Sequence, residues 1–408
     1  MSGRYSAFSF RVLARDPATR ARLGLLATPH GVVETPNFIL CATRGALKAA
    51  TMAEARALGA QIVLANTYHL MLAPGAERVA RLGGLHRMTG WQGPLLTDSG
   101  GFQIFSMGHG GVAAEVKGNR AQAAEATLIR IDERGATFRS YIDGSVQELT
   151  PERSLAIQAA LGADLVVVLD ECTPYHAERD YVARALERTF RWSRRSLAAF
   201  DAAGGMGTEG PQALYGIAGG HVHEDLRRAA ADFVNGEDFF GHAIGDSLGA
   251  SREQMHAVVA FQAPLLREDR PIHLLGIGQV EDIWHGVAQG IDTFDCVHPT
   301  RIARHGGALV RNAAEEGVAG RDHLNLRNAR FRDDARVLEE GCDCPACAGG
   351  YSRAYLHHLL KTGELLGLWL ITQHNIRFMM RLMAAVRAAV AAGRVREAAA
   401  EWGVRLSA

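Results

Sequence analysis

Cys342, Cys344 and Cys347 fall within six residues, in the stretch Gly-Cys-Asp-Cys-Pro-Ala-Cys-Ala-Gly-Gly. Cys-x-Cys-x-x-Cys inside a Gly/Pro turn brings three sulfurs to one point, and a closed structural Zn2+ site takes four N or S ligands. Spacing leaves the fourth open among His323, His357, His358 and His374. The other three cysteines are scattered, so the six do not form a disulfide framework. One metal site in a reducing compartment fits them better. A second set of reactive groups is acidic. Asp98 is followed by Ser-Gly-Gly-Phe-Gln, Asp170 by Glu-Cys-Thr-Pro, and Asp295 lies in Phe-Asp-Cys-Val-His-Pro-Thr-Arg. Asp295 lies inside a short apolar run, and Asp98 and Asp170 each close one. An aspartate there often caps the following helix. Three that converge could instead divide into nucleophile, acid/base and substrate anchor.

Convergence requires a fold that gathers strand ends. Short, β-rich apolar runs recur at 37–41, 61–66, 95–98, 165–170, 213–217, 240–244, 272–277 and 293–297, with helical stretches between most of them at 52–58, 151–161, 181–200, 224–233, 252–262 and 280–289. Eight buried strands alternating with helices predict an α/β protein, a parallel (β/α)8 TIM barrel, whose catalytic face lies at the C-terminal strand ends. The rival, a doubly wound open sheet, lacks its Gly-rich fingerprint after the first strand. Residues 1–36 alternate and break at Asp16-Pro17 and Pro29-His30-Gly31, predicting an N-terminal antiparallel cap. The barrel is expected over 37–310, with a hairpin inserted near 115–149. Residues 311–408 are expected to form a C-terminal zinc-binding subdomain with a long helical run at 363–393.

The chain has 408 residues, 48% hydrophobic and 22% charged, and formal net charge zero. No global basic field attracts nucleic acid, so a polyanion must meet a local patch. Eight arginines between 301 and 336 (301, 304, 311, 321, 327, 330, 332 and 336), among five acids, form a modest one suited to phosphates or simply a solvated loop. His221 and His223 flank the loop after the fifth strand, and lone histidines are more often hydrogen-bonded than ligating. The polar start and the lack of a run of about 20 apolar residues imply a soluble, cytoplasmic protein without a membrane partner.

Taken in order, Thr97-Asp98-Ser99-Gly100-Gly101-Phe102-Gln103, Asp170-Glu171-Cys172-Thr173-Pro174, Phe294 to Arg301, Asn328 to Phe331, Ser352 to Leu359 and His374-Asn375 closely resemble the tRNA-guanine transglycosylases of queuosine biosynthesis, in their bacterial form. The resemblance runs from about Phe8 to the C-terminus. It implies a (β/α)8 barrel with a zinc subdomain, in an enzyme that exchanges guanine at the tRNA wobble position for a free 7-deazaguanine base. Bacterial members usually take 7-aminomethyl-7-deazaguanine; eukaryotic ones and some bacterial ones take queuine. It further implies a homodimer. Carried over by position, Asp295 is the nucleophile and Asp98 the general acid/base. Asp170 reads the guanine edge and Phe102 stacks on the base. Ser99, Gly100, Gly101, Cys172, Gly219, Gly245 and Asp246 complete the base pocket. Gly276, Ile277, Gly278, Gln279, Val280, Glu281, Asp282, Thr300, Arg301, Ile302, Ala303 and Arg304 lie where the family grips the nucleotides around the wobble base. His374 becomes the fourth zinc ligand.

Two loops depart from the family's pattern. After the fifth strand the family usually reads Gly-Ile-Val-Gln-Gly-Gly; here Gly216-Ile217-Ala218-Gly219-Gly220-His221 puts Gly219 where a glutamine donates to the base. The next loop usually reads Gly-Gly-Leu; here it is Gly245-Asp246-Ser247. A wider pocket with a new carboxylate implies a bulkier incoming base, queuine first, its cationic amine and diol paired with Asp246. Alternatively His221 or a water replaces the glutamine and the base is the ordinary one. Two other functions compete with exchange: a non-catalytic tRNA-binding partner subunit, against which both Asp98 and Asp295 stand, and a transglycosylase acting on another nucleic acid.

Overall fold

The computed structural model describes residues 3–108, 128–311, 316–318 and 321–406. The chain begins with an antiparallel sheet, β1 (Ser9–Arg15), β2 (Arg22–Thr28) and β3 (Gly31–Thr35), in that order. Along β2 buried and half-buried residues alternate, the period of a strand with one face on a core. The two turns fall at the predicted breaks.

Eight strands then close a barrel. They are β4 (Asn37–Cys41), β5 (Val63–Ala65), β6 (Leu95–Thr97), β10 (Leu165–Val167), β13 (Ala213–Ala218), β14 (Gly241–Ile244), β15 (Ile272–Leu274) and β16 (Thr293–Cys296). All pairings between them are parallel, and β16 returns to pair with β4. The eight predicted runs are these eight strands. Nearly every residue in them is buried, as parallel strands packed on both faces require. The helices between them start and stop on local signals. Thr51 and Glu54 form a reciprocal capping box before Met52–Ala57, and Thr150 caps Pro151–Leu161 with proline in the first turn. Gly162 ends the latter helix in the left-handed conformation (φ 78°).

Three features depart from the expected plan. The insertion is a three-stranded meander, β7 (Leu128–Ile131), β8 (Ala136–Arg139) and β9 (Val146–Leu149), because Gly144 (φ 73°) turns the chain back for a third strand. Its expected start, 115–127, lies outside the described residues. Two small antiparallel pairs went unpredicted: β11 (Met206–Gly207) with β12 (Gly210–Pro211), and β17 (Gly307–Leu309) with β18 (His323–Asn325). Their strands are too short to show a period.

The buried side chains fall into two clusters. The large one fills and surrounds the barrel; the smaller gathers Ala308, Leu324, Phe331 and Leu356 around the cysteines. The 28-residue helix Leu365–Ala392 serves both, with Leu370 and Ile371 in the small cluster and Ile376 to Val390 in the large one. No described helix is long and apolar enough to cross a membrane.

Candidate active site

The three aspartates sit at the same end of the barrel, Asp98 and Asp170 just beyond β6 and β10 and Asp295 near the end of β16. Asp98 is held by the neighbouring strand. Asn66 directly follows β5 and caps helix Thr67–Leu72 through its side-chain Oδ1, while its side-chain nitrogen donates to Asp98 Oδ2. The Thr67 amide donates to Asp98 Oδ1 (2.8 Å) and Gln103 Nε2 to Oδ2 (3.0 Å). Burial nevertheless pushes the Asp98 carboxyl up to about 7, the nearby Asp295 charge acting the same way against the hydrogen bonds.

Asp170 is buried, and burial pushes it too up to about 7, with the charges of Asp246, Glu171 and Asp98 reinforcing the rise. Glu171 turns away from the mouth, accepting from Tyr181 (2.6 Å) and Arg188 on helix Arg179–Ala202. Asp295 is held from three sides: the Gly276 amide donates to Oδ1 (2.9 Å), His273 Nε2 lies 3.2 Å from the same oxygen, and the Cys41 thiol donates to Oδ2 (3.5 Å). His273 is anchored in turn through Nδ1 to Thr293 Oγ1 (2.9 Å). Two carboxyl groups poised near neutrality beside a firmly held carboxylate can divide proton transfer and nucleophilic attack between them.

The turn after β6 is shaped by close approach. A side chain on Gly101 would put Cβ 2.8 Å from the Asp170 carbonyl oxygen, so the first turn of helix Gly101–Gly108 is brought directly against Asp170. Gly100 takes φ 85°, Ser99 is buried, and Phe102 stands half exposed (50%). A flat ring held beside Asp98 therefore meets an open aromatic face. Cys172 is half-buried in the loop after β10. Gly219, Gly245 and Asp246 follow β13 and β14 on the same face. The Asp246 carboxylate accepts four hydrogen bonds: from the Thr173 amide (2.9 Å) and hydroxyl (2.8 Å), and from the amides of Gly220 (3.1 Å) and His221 (3.0 Å).

The residues expected at RNA divide. Gly276 is exposed and Ile277 half-buried against the core, while Gly278 packs against Cys296 and Phe38, where a Cβ would not fit. Val280 is buried; Gln279 and Glu281 engage Arg252, and Asp282 accepts from His256 (2.9 Å) and pairs with Arg252 (3.2 Å). On helix His298–Arg304, Thr300 and Ala303 are buried and Ile302 half-buried, leaving Arg301 and Arg304 exposed. Of the other arginines, 311 and 336 pair with acids and 330 with the Glu316 carbonyl.

Away from the mouth, Cys342, Cys344, Cys347 and His374 converge. His374 Nδ1 lies 3.7, 3.4 and 3.5 Å from the three sulfurs in that order. Tetrahedral bonds of about 2.3 Å to sulfur and about 2.0 Å to nitrogen require S···N separations of about 3.5 Å. All four residues are buried, and Nε2 of His374 donates to the Leu309 carbonyl (2.7 Å), fixing the ring with Nδ1 toward the sulfurs. The donor set thus fits a closed tetrahedral metal site. The other candidate histidines are elsewhere: His357 bonds the Leu326 carbonyl (2.7 Å), His323 bonds Asp322 (2.9 Å), and His358 is exposed on helix Arg353–Thr362 with no place in the cluster.

The profile of the family described as Queuine tRNA-ribosyltransferase matches residues 16–407. The chain belongs to the queuine tRNA-ribosyltransferase family. Among curated members of that family, the Queuine tRNA-ribosyltransferase of Roseiflexus sp. (strain RS-1) is 49% identical over 400 residues, covering 97% of this chain and 98% of the relative. One from Thermus thermophilus is 47% identical over 399 residues, covering 98% and 94%. That of Synechococcus elongatus is 44% identical over 398 residues, covering 97% and 95%. For a queuine tRNA-ribosyltransferase family member, the side chains invisible to sequence reasoning are the holders: Asn66, Gln103, Cys41 and His273. Only Asn66, a cap-type residue at the end of the predicted strand 61–66, left a readable signal.

Proposed function

We propose that this protein is a tRNA-guanine transglycosylase that replaces guanine at the anticodon wobble position by a free 7-deazaguanine base, queuine or 7-aminomethyl-7-deazaguanine, through a covalent ribosyl-aspartate intermediate. The observation that carries the proposal is the meeting of Asp98, Asp170 and Asp295 at one barrel mouth, two of them raised to about 7 and the third held as an acceptor of three hydrogen-bonding groups.

An Asp295 carboxylate oxygen attacks the ribose anomeric carbon as the bond to guanine breaks, and Asp98 supplies the proton that guanine takes up on leaving. The incoming base returns a proton to Asp98 and attacks the same carbon, and Asp295 departs as carboxylate. Two inversions give retention. Asp170, ionised, accepts from the N1–H and 2-amino group of either base, and Phe102 stacks on it. Ser99, Gly100, Gly101, Cys172, Gly219 and Gly245 line the pocket. The exposed Arg301 and Arg304 take phosphates flanking the wobble nucleotide, which is already largely unpaired in its loop. Backbone atoms near Gly276 and Ile277 complete the groove.

The reading divides the chain into the cap (1–36), the barrel (37–310) and a zinc-binding subdomain (311–408), and it takes the protein as a cytoplasmic homodimer. Zinc, held by Cys342, Cys344, Cys347 and His374, is structural and lies outside the reaction. The decisive experiment incubates protein with wobble-guanine tRNA, denatures, and looks for a tRNA–protein adduct. Wild type should give one and Asp295→Asn none; an adduct at wild-type level in Asp295→Asn would refute the assignment. Mass spectrometry of wobble nucleosides after competition between free bases then names the incoming one.

A further inference from the structure

Asp246 and His221 are both non-glycine residues in the left-handed region, at φ 65° and 56°. Such residues persist where the surroundings hold them. Here the hold is explicit. Asp246 takes the amide and hydroxyl of Thr173 from the loop after β10, and the amides of Gly220 and His221 from the loop after β13. Its two oxygens therefore each accept two bonds. The carbonyls at the ends of β13 and β14 and in the loops that follow them are gathered by a second buried group. Arg227, on helix Glu224–Gly236, donates to the carbonyls of Ala218 (3.2 Å), His221 (2.6 Å), Gly245 (2.9 Å) and Ser247 (2.8 Å), and to Gln262 (2.7 Å). An anion on the N–H side and a cation on the C=O side brace three loops between them. A Cβ on Gly219 would sit 3.3 Å from that of Asp246, so a side chain at 219 and the one at 246 compete for the same space.

We propose that Asp246 is a positioning residue and not a contact for the incoming base: with Arg227 it fixes the pocket wall that carries Gly219 and Asp170, and the pocket selects its base by shape. The inference rests on the transglycosylase reading and assigns a role within that site. It replaces the expectation that Asp246 pairs with a cationic amine of the base, since four protein donors already occupy the carboxylate. The brace also acts through charge. Asp170 is faced by Asp246, Glu171 and Asp98, and Asp246 by Arg227 and His221. Removing the Asp246 charge eases ionisation of Asp170, the form that accepts from guanine.

The test uses the full chain and tRNA, with labelled guanine and 7-aminomethyl-7-deazaguanine as incoming bases. Asp246→Asn is expected to raise KM for both by the same factor, about tenfold, with kcat little changed. The acid limb of kcat/KM for guanine should move to lower pH, which a merely structural role would not cause. Thr173→Val removes one donor and keeps the charge. Its KM values should rise in parallel by about threefold with the acid limb unmoved, and it decides the matter if Asp246→Asn does not fold. A loss confined to the aminomethyl base would make Asp246 a direct contact and overturn the proposal, as would unchanged KM values. Failure of the wild type to incorporate guanine into tRNA would refute the transglycosylase reading itself, before any variant is compared.

Discussion

A carboxylate taken out of water must be compensated by a cation, by hydrogen-bond donors or by a proton. Asp246 and Asp295 use donors; Asp98 and Asp170 lean toward the proton. Asp170 is the least supported, with its own backbone amide as donor and three like charges around it. Its folded-state value of about 7 exceeds the unfolded 3.8. The stability it contributes is therefore fully present below about pH 4 and lost as pH rises through about 7. Asp170→Asn should raise the melting temperature at pH 8, by about 1–3 kcal/mol in stability, with the gain vanishing near pH 4. Calorimetry at the two pH values checks this. The same variant should lose about 10- to 100-fold in kcat/KM for guanine, because an amide presents a donor where the base presents one. In wild type, kcat/KM for the free base should fall as pH drops below about 7, since protonated Asp170 cannot accept twice. The three acids at the barrel mouth were legible because each lies at or near the end of an apolar run. Most of their partners were not, because His273 and Cys41 reach Asp295 only once the barrel closes, and closure leaves no local spacing.

Among elements, the helix Leu365–Ala392 does the most to unite the molecule. Its first turns pack with the small cluster around the cysteines and its later ones with the barrel, and His374 lies between. Met379→Ala removes a fully buried side chain from the barrel cluster and should cost about 2–5 kcal/mol. His374→Ala should abolish bound metal, read as the zinc-to-protein ratio. It should also lower the melting temperature, because a closed structural site contributes directly to folding. Unchanged zinc content would refute the ligand set. The barrel strands were readable because parallel strands buried on both faces are continuous apolar runs, punctuated by glycine and by helix caps. The meander and the pairs β11–β12 and β17–β18 were not, since short antiparallel strands of two to four residues carry no periodic signal.

At the scale of the whole molecule, zero formal net charge makes RNA binding a matter of where the few uncommitted cations stand. With several arginines of the 301–336 window paired to acids or carbonyls, Arg301 and Arg304 are left exposed on the helix that follows Asp295. Arg301→Ala should weaken tRNA binding and reduce the salt slope by about one, while KM for the free base stays unchanged; filter binding across a salt series measures both. The barrel's closure has a further consequence during synthesis. β4 pairs with β16, Phe38 opposite Phe294, and the N-terminal sheet meets the chain's last helices: Arg387 donates to the Pro36 carbonyl (3.0 Å) and the Val395 amide to Asp16 (3.3 Å). The first strands to leave the ribosome thus wait for almost the last residues before they are covered. A nascent chain stalled before residue 293 exposes β4 and β15 as bare sheet edges, which pair readily with other chains. Interrupted translation of this protein yields aggregation-prone fragments instead of a smaller folded enzyme, so the cell must either finish the chain or shield it.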